Sequence, residues 1–356
     1  MHASSHPAHT QAVTRRRLLG SGLALASLMG LAACSTGSRG GSEETRPGAT
    51  ASSSPTDSFP VKVEHALGTT TVDAEPQRVV TVGASSNQDF VAALGVMPVG
   101  IVTVAWGGNA NGSTDWFDEA VSRLGAQQPE QYDESDGTNF SAVAELRPDL
   151  IVAVNSGITQ EDYDRLAKIA PVVAYPTGPW VNAWQDQQRL VAQALGRSEA
   201  GDTLVEDTEA LIASRSEELG DAKGKTFIYG DVSGNLGFYG PGDGRPRFYE
   251  ELGLTLPAVV TDNISEDEFW REWPQERADE LDSDLFISAA EDDEAVQKFK
   301  EDPILRAIPA VAKDQAIFFT NKQDVLAGSV TSPLSVPYAL DVHIPAIKGA
   351  LGMQSS

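Results

Sequence analysis

The chain has one cysteine and five histidines in 356 residues, and 26 basic side chains against 51 acidic ones. Each shortage excludes something. A single cysteine cannot build an internal disulfide framework or a cysteine-rich zinc site. A formal charge of −25 repels nucleic-acid phosphates and anionic lipid headgroups, so neither is expected as a direct partner. There is no P-loop, no G-x-S-x-G elbow and no H-E-x-x-H motif, so phosphate-cradling, serine-hydrolase and zinc-protease chemistry lack their signatures. The run Leu18 to Ala33 is apolar, but five Gly and Ser residues interrupt it and it is shorter than the ~20 residues of a membrane-spanning helix.

What is present begins with that run. Arg15, Arg16 and Arg17 precede it, and it ends in Leu31-Ala32-Ala33-Cys34, which looks like a bacterial lipobox. Residues 1–33 therefore read as a signal peptide and Cys34 as a lipid attachment site. Thr14 to Leu19 also resembles a twin-arginine export signal, which leaves the export route open. Removing three arginines and no acid takes the net charge from −25 to −28 and leaves 323 residues. Only His65 and His343 remain in that mature chain, too few for a three-histidine zinc site. Residues 34–59 are rich in Ser, Thr, Gly and Pro and read as a flexible tether, roughly 25–30 Å in mean reach. The expected location is extracytoplasmic, with the protein anchored to the membrane by lipid.

From residue 60 onward, short apolar strands alternate with helices. Strands are expected at 78–82, 98–104, 149–154 and 171–174, then at 226–229, 285–288 and 316–319. Helices are expected at 87–94, 116–124, 140–146, 160–169 and 183–195, and again at 247–252, 274–281, 293–299 and 334–351. Glu199 to Leu219 reads as one long helix with a thin apolar stripe of Leu204, Thr208, Leu211, Arg215 and Leu219, which suits a strut between two halves or an ordinary amphipathic surface helix. The fold class is α/β. Two Rossmann-like lobes, 60–197 and 221–356, are bridged by a single helix within 198–220.

Ligands of open α/β sheets sit beyond the carboxyl ends of the strands. The large aromatics, arginines and hydroxyls predicted there are the candidate ligand-binding residues: Ser86, Trp106, Ser156, Trp180, Tyr239, Arg245, Trp270 and Arg271. Trp and Tyr offer broad apolar faces with a polar handle, and Arg offers charge and a donor fork. Trp270 and Arg271 are placed just before a helix. Asp133 to Gly137 faintly resembles a calcium loop, but its glycine is out of register. No catalytic residue and no protein metal ligand is expected.

Four segments carry a resemblance: PQRVVTVGASSNQDFVAALGVMPVGIV (76–102), LRPDLIVAVNSGITQEDYDRLAKIAPVVAYPTGPW (146–180), PQERADELDSDLFI (274–287) and SPLSVPYALDVHIPAI (332–347). In this order, behind a lipobox and tether, they resemble the substrate-binding lipoproteins of bacterial iron–siderophore ABC transporters. These are class III binding proteins with a helical backbone, a type that includes the ferrichrome- and cobalamin-binding proteins. The resemblance implies a non-enzymatic monomer without a cofactor, delivering a ferric siderophore to an ABC permease and its ATPase. A neutral or weakly cationic hydroxamate complex is favoured against the strong negative charge, with an anionic catecholate or carboxylate complex the alternative if Arg245 and Arg271 line the cleft. Haem or cobalamin on the same fold is the alternative, and a siderophore-modifying enzyme is a remote one. The resemblance further implies permease docking through a glutamate on each lobe. Glu276 matches the second-lobe position. Ser141 stands at the first-lobe position, and Glu145, four residues on along the same helical face, is the candidate substitute.

Overall fold

The computed structural model describes residues 55–353 except Ser233. The signal peptide, Cys34 and the tether up to residue 54 lie outside the described residues. The tether's last residues do not hang free. The amides of Thr56 and Asp57 donate to the Gly196 carbonyl, and the Asp57 carboxylate accepts from the amide and hydroxyl of Ser198. Asp57 thus satisfies an orphan donor at the start of the long helix.

A hairpin of β1 (Val61–His65) and β2 (Gly68–Val72) opens the first lobe. Five parallel strands follow: β3 (Val79–Thr81), β4 (Gly100–Val102), β5 (Glu130–Tyr132), β6 (Leu150–Ala153) and β7 (Val172–Ala174). Their order is β5-β4-β3-β6-β7. Strands β3, β6 and β7 are buried along their whole length, as parallel strands covered by helices on both faces must be. The chain moves outward on one side of β3 and then returns to its other side, so β3 and β6 flank a topological switch point.

The second lobe has β8 (Phe227–Asp231), β9 (Gly237–Tyr239), β10 (Trp270–Glu272), β11 (Leu285–Ala289) and β12 (Ala316–Phe319), in the order β10-β9-β8-β11-β12. Strands β8, β11 and β12 run parallel, while β9 and β10 form an antiparallel edge. Trp270 and Arg271 therefore lie in a strand rather than in a loop before a helix. The turn that follows is a 3-10 helix, Gln275–Glu280.

The long helix is Ser198–Ser216, about 28 Å at 1.5 Å per residue, and it tightens into a 3-10 segment, Glu217–Ala222. Its buried face is Gly201, Val205, Thr208, Ile212 and Ser216, so the packed stripe lies beside the expected one: Leu204, Leu211 and Arg215 are only half-buried. A Cβ built at Gly201 would lie 2.2 Å from the Ala192 Cβ, so the glycine permits close contact with the helix Trp184–Ala194. Arg215 bonds Asp341 of the final helix, Ser335–Ala350. The bridge is packed along its side.

The lobes also touch directly. Trp116 Nε1 and Ser332 Oγ both donate to the buried Asp89 Oδ2 at 2.8 Å, and the Asp115 amide donates to Gln323 Oε1 at 3.0 Å. Trp116 packs on Tyr338 with ring centroids 5.4 Å apart. The two histidines are structural. The imidazole of His65 bonds Thr70, and that of His343 lies between Tyr249 and the Asp324 carbonyl.

Candidate functional site

The carboxyl ends of β3 and β6 are tied to each other by one side chain. Asn87, in the first turn of the helix Ser86–Ala93, donates from Nδ2 to the carbonyls of Val82 and Asn155, and its Oδ1 accepts from the Asn155 amide. The Asn155 side chain in turn donates to Ser86 Oγ at 2.8 Å. Gly83, at φ 95°, passes so close to Asn155 and Ser156 that a Cβ would lie 2.7 Å from both. This turn requires glycine.

Two chambers open around these ends and meet at Trp180. The inter-lobe chamber, about 780 Å³, is lined by Asn155, Trp180 and Trp184 from the first lobe, Glu209 from the bridge, and Tyr239, Arg245 and Phe269 among others from the second. The first-lobe chamber, about 800 Å³, lies over β3, β4 and β6 and is lined by the Gly83 turn, the loop 133–138, Ser156, Asp162, Arg165 and Trp180. Both volumes suit a small-molecule ligand.

Trp180 is exposed at the tip of a loop and has φ 65°, an uncommon value for a bulky residue. Asn182 holds the loop: its Oδ1 accepts from the Thr177 amide and hydroxyl, and its Nδ2 donates to the Gly178 carbonyl. Across the cleft, Arg245 stacks its guanidinium 4.0 Å from the Tyr239 ring centroid and pairs with both oxygens of Asp243. Burial raises the Asp243 pKa even against that neighbouring charge.

The sequence candidates separate accordingly. Trp180, Tyr239 and Arg245 line the inter-lobe chamber, and Trp180 and Ser156 line the first-lobe chamber. Ser156 is buried, with Oγ donating to the Ala153 carbonyl. Ser86 is also buried and reaches the site only through Asn155. Trp270 stands behind the wall, its ring 4.9 Å from that of Tyr239. Trp106 is exposed outside both chambers, and Arg271 also lies outside them, half-buried and paired with Glu268. Glu145 and Glu276 are exposed on the first and second lobes.

Several lining residues were not anticipated from the sequence. Trp184 Nε1 donates to both oxygens of Glu251, at 3.1 and 3.2 Å, which joins the lobes at the chamber wall. Glu134 accepts from the amides of Gly83 and Asn139. Burial pushes its pKa up to about 6 despite those bonds, with help from the charges of Asp133 and Asp162. The Asp133–Gly137 segment is thus a wall of the first-lobe chamber.

Residues 80–322 match the family model described as periplasmic binding protein. The chain belongs to that family. The solved structure of Streptococcus pneumoniae TIGR4 PiaA in complex with ferrichrome is 33% identical, with a TM-score of 0.77, over 82% of this chain and 99% of that one. The probable siderophore-binding lipoprotein YfiY of Bacillus subtilis is 28% identical over 203 residues, 55% of this chain and 57% of that protein. The Fe(3+)-citrate-binding protein YfmC of the same organism is 28% identical over 257 residues, 70% of this chain and 74% of that protein. The two α/β lobes bridged by a helix are the fold that the sequence implied.

Proposed function

We propose that this chain is an extracytoplasmic binding protein, lipid-anchored through Cys34, that captures a ferric siderophore and delivers it to an ABC permease and its ATPase. The observation that carries the reading is the match to the ferrichrome-bound PiaA over 99% of that chain, combined here with an aromatic cleft at a topological switch point. A hexadentate siderophore fills the octahedral shell of Fe(III), so the protein has only the organic shell to grip. Trp180, Tyr239 and Phe269 supply apolar faces for that shell, and Asn155 and Thr331 supply hydrogen-bonding groups.

The chain works as a binding module rather than an enzyme. Ferrichrome is a trihydroxamate, which supports hydroxamate complexes as the preferred class. Glu276 and Glu145 are the groups proposed to meet the permease, and the protein is proposed to act as a monomer. Tryptophan fluorescence titration with ferric trihydroxamates, ferric citrate, haem and cobalamin tests the ligand class. Saturation by a ferric trihydroxamate is expected; a response to haem or cobalamin alone would overturn it. Fatty-acid labelling of the expressed chain, lost in Cys34→Ala, tests the anchor.

A further inference from the structure

The second-lobe wall of the inter-lobe chamber includes three consecutive residues, Ser329, Val330 and Thr331. They lead from the helix Lys322–Ser329 toward the final helix, Ser335–Ala350. At one end the wall abuts the turn that carries Arg245: a Cβ built at Gly244 would lie 2.8 Å from the Ser329 carbonyl oxygen. At the other end it runs directly into Ser332, which is buried. The Ser332 hydroxyl accepts from the Ser335 amide at 3.1 Å, and its own proton goes to Asp89 Oδ2 at 2.8 Å. The Ser332 amide donates to Ser335 Oγ at 3.0 Å. The residue that ends this second-lobe wall is thus held by a side chain of the first lobe.

Asp89 is buried and lines neither chamber. Its bonding falls on one oxygen. Oδ2 accepts from Trp116 Nε1 and from Ser332 Oγ, while Oδ1 has no hydrogen-bond partner among the described residues. Trp116 is fixed in turn by its ring contact with Tyr338 of the final helix. One acceptor atom therefore joins the first lobe to the end of the chamber wall.

We propose that Asp89 is a positioning residue for capture: through Ser332 it holds the wall Ser329–Thr331 in place against the ligand without touching the ligand itself. The proposal rests on the siderophore reading above. What it demands at position 89 is an acceptor oxygen where Oδ2 lies. Asparagine meets that demand with its one oxygen, and its amide nitrogen then takes the unpartnered place, where its N–H groups cost stability. Leucine has similar bulk and no acceptor.

The test titrates a ferric trihydroxamate into the purified full-length protein and its variants by tryptophan fluorescence, with urea unfolding of each alongside. Asp89→Asn should be less stable than the wild type yet bind within about threefold of it, whereas Asp89→Leu should bind on the order of tenfold more weakly. A purely structural role would make affinity follow stability in both. Ser332→Ala removes one oxygen atom and carries the test if Asp89→Leu does not fold; it too should bind on the order of tenfold more weakly. Double-mutant cycles then locate the loss. Ser332→Ala and Val330→Ala should be non-additive, because a released wall no longer presses Val330 on the ligand, while Ser332→Ala and Trp180→Ala should add. Unchanged affinity in Ser332→Ala, additivity with Val330→Ala, equal coupling to both partners, or a loss in Asp89→Asn as large as in Asp89→Leu overturns the positioning role and leaves the siderophore reading intact. Failure of the wild type to bind any ferric trihydroxamate overturns both.

Discussion

The indole of Trp180 rests on Gly157. A Cβ built at residue 157 would lie 2.5 Å from Nε1 and 2.8 Å from Cε2. Because Trp180 lines both chambers, this seat places one aromatic face at their junction. Gly157 is not in the left-handed region, so a side chain there would be opposed by the indole rather than by the backbone.

Gly157→Val should therefore lift the indole from its seat. Affinity for a ferric trihydroxamate is expected to fall about tenfold, near 1.4 kcal/mol. The tryptophan emission of the free protein should shift to longer wavelength as the ring enters water. Fluorescence titration checks both, and unchanged affinity would show that the seated indole is not part of the site.

Asp89 and Ser332 form a second test, on the joint between the lobes. Burial pushes the Asp89 pKa up to about 7, although the hydrogen bonds from Ser332 and Trp116 favour the carboxylate. Its folded value lies above the ordinary 3.8, so the native state holds more protons between those limits. The contribution of Asp89 should therefore favour folding as pH falls from about 7 toward 4. In urea unfolding, the stability of the wild type relative to Asp89→Asn should rise over pH 7.5 to 5. Ser332→Ala removes one donor and should cost about 1–3 kcal/mol at pH 7.5.

His343 should show the opposite sign. Burial pushes its pKa down to about 4 against the usual 6.5, with the Asp324 carbonyl opposing the shift. The native imidazole is neutral, its Nε2–H donating to that carbonyl and its Nδ1 accepting from the Tyr249 hydroxyl. Stability from this group is present above pH 6.5 and is lost as pH falls toward 4. Nitrogen NMR of the ring should find the Nε2–H tautomer from pH 7.5 to 5. A ring titrating near 6.5 would contradict the burial.

Glu276→Ala and Glu145→Ala test docking apart from capture. Both side chains are exposed and outside the chambers, so siderophore affinity should stay within about twofold. Uptake into cells should fall roughly tenfold in Glu276→Ala if its charge is desolvated against the permease. Normal uptake in both variants would assign docking to other residues.

The sequence conveyed the buried framework better than the edges. Runs such as Leu150-Ile-Val-Ala and Leu285-Phe-Ile-Ser are apolar because helices cover both faces of their strands. Strand β5, Glu-Gln-Tyr, and strand β10, Trp-Arg-Glu, are short, polar sheet edges, and neither shows a strand pattern. Missing β5 also hid the role of Asp133–Gly137, which follows it and would have counted as a loop beyond a strand's carboxyl end. Trp180, Tyr239 and Arg245 were legible because aromatics and an arginine follow expected strands, although Tyr239 ends β9 and Arg245 opens a helix rather than lying in loops. Gln185, Glu209 and Glu251 were not legible. They lie on three helices that only the packing of the lobes brings together.

The most direct measurement is an iron anomalous-difference map from a crystal grown with a ferric trihydroxamate. One peak is expected in the cleft between Trp180 and Tyr239, with all six iron ligands contributed by the siderophore. An empty cleft, or iron bound to a side chain of the protein, would contradict capture through the organic shell.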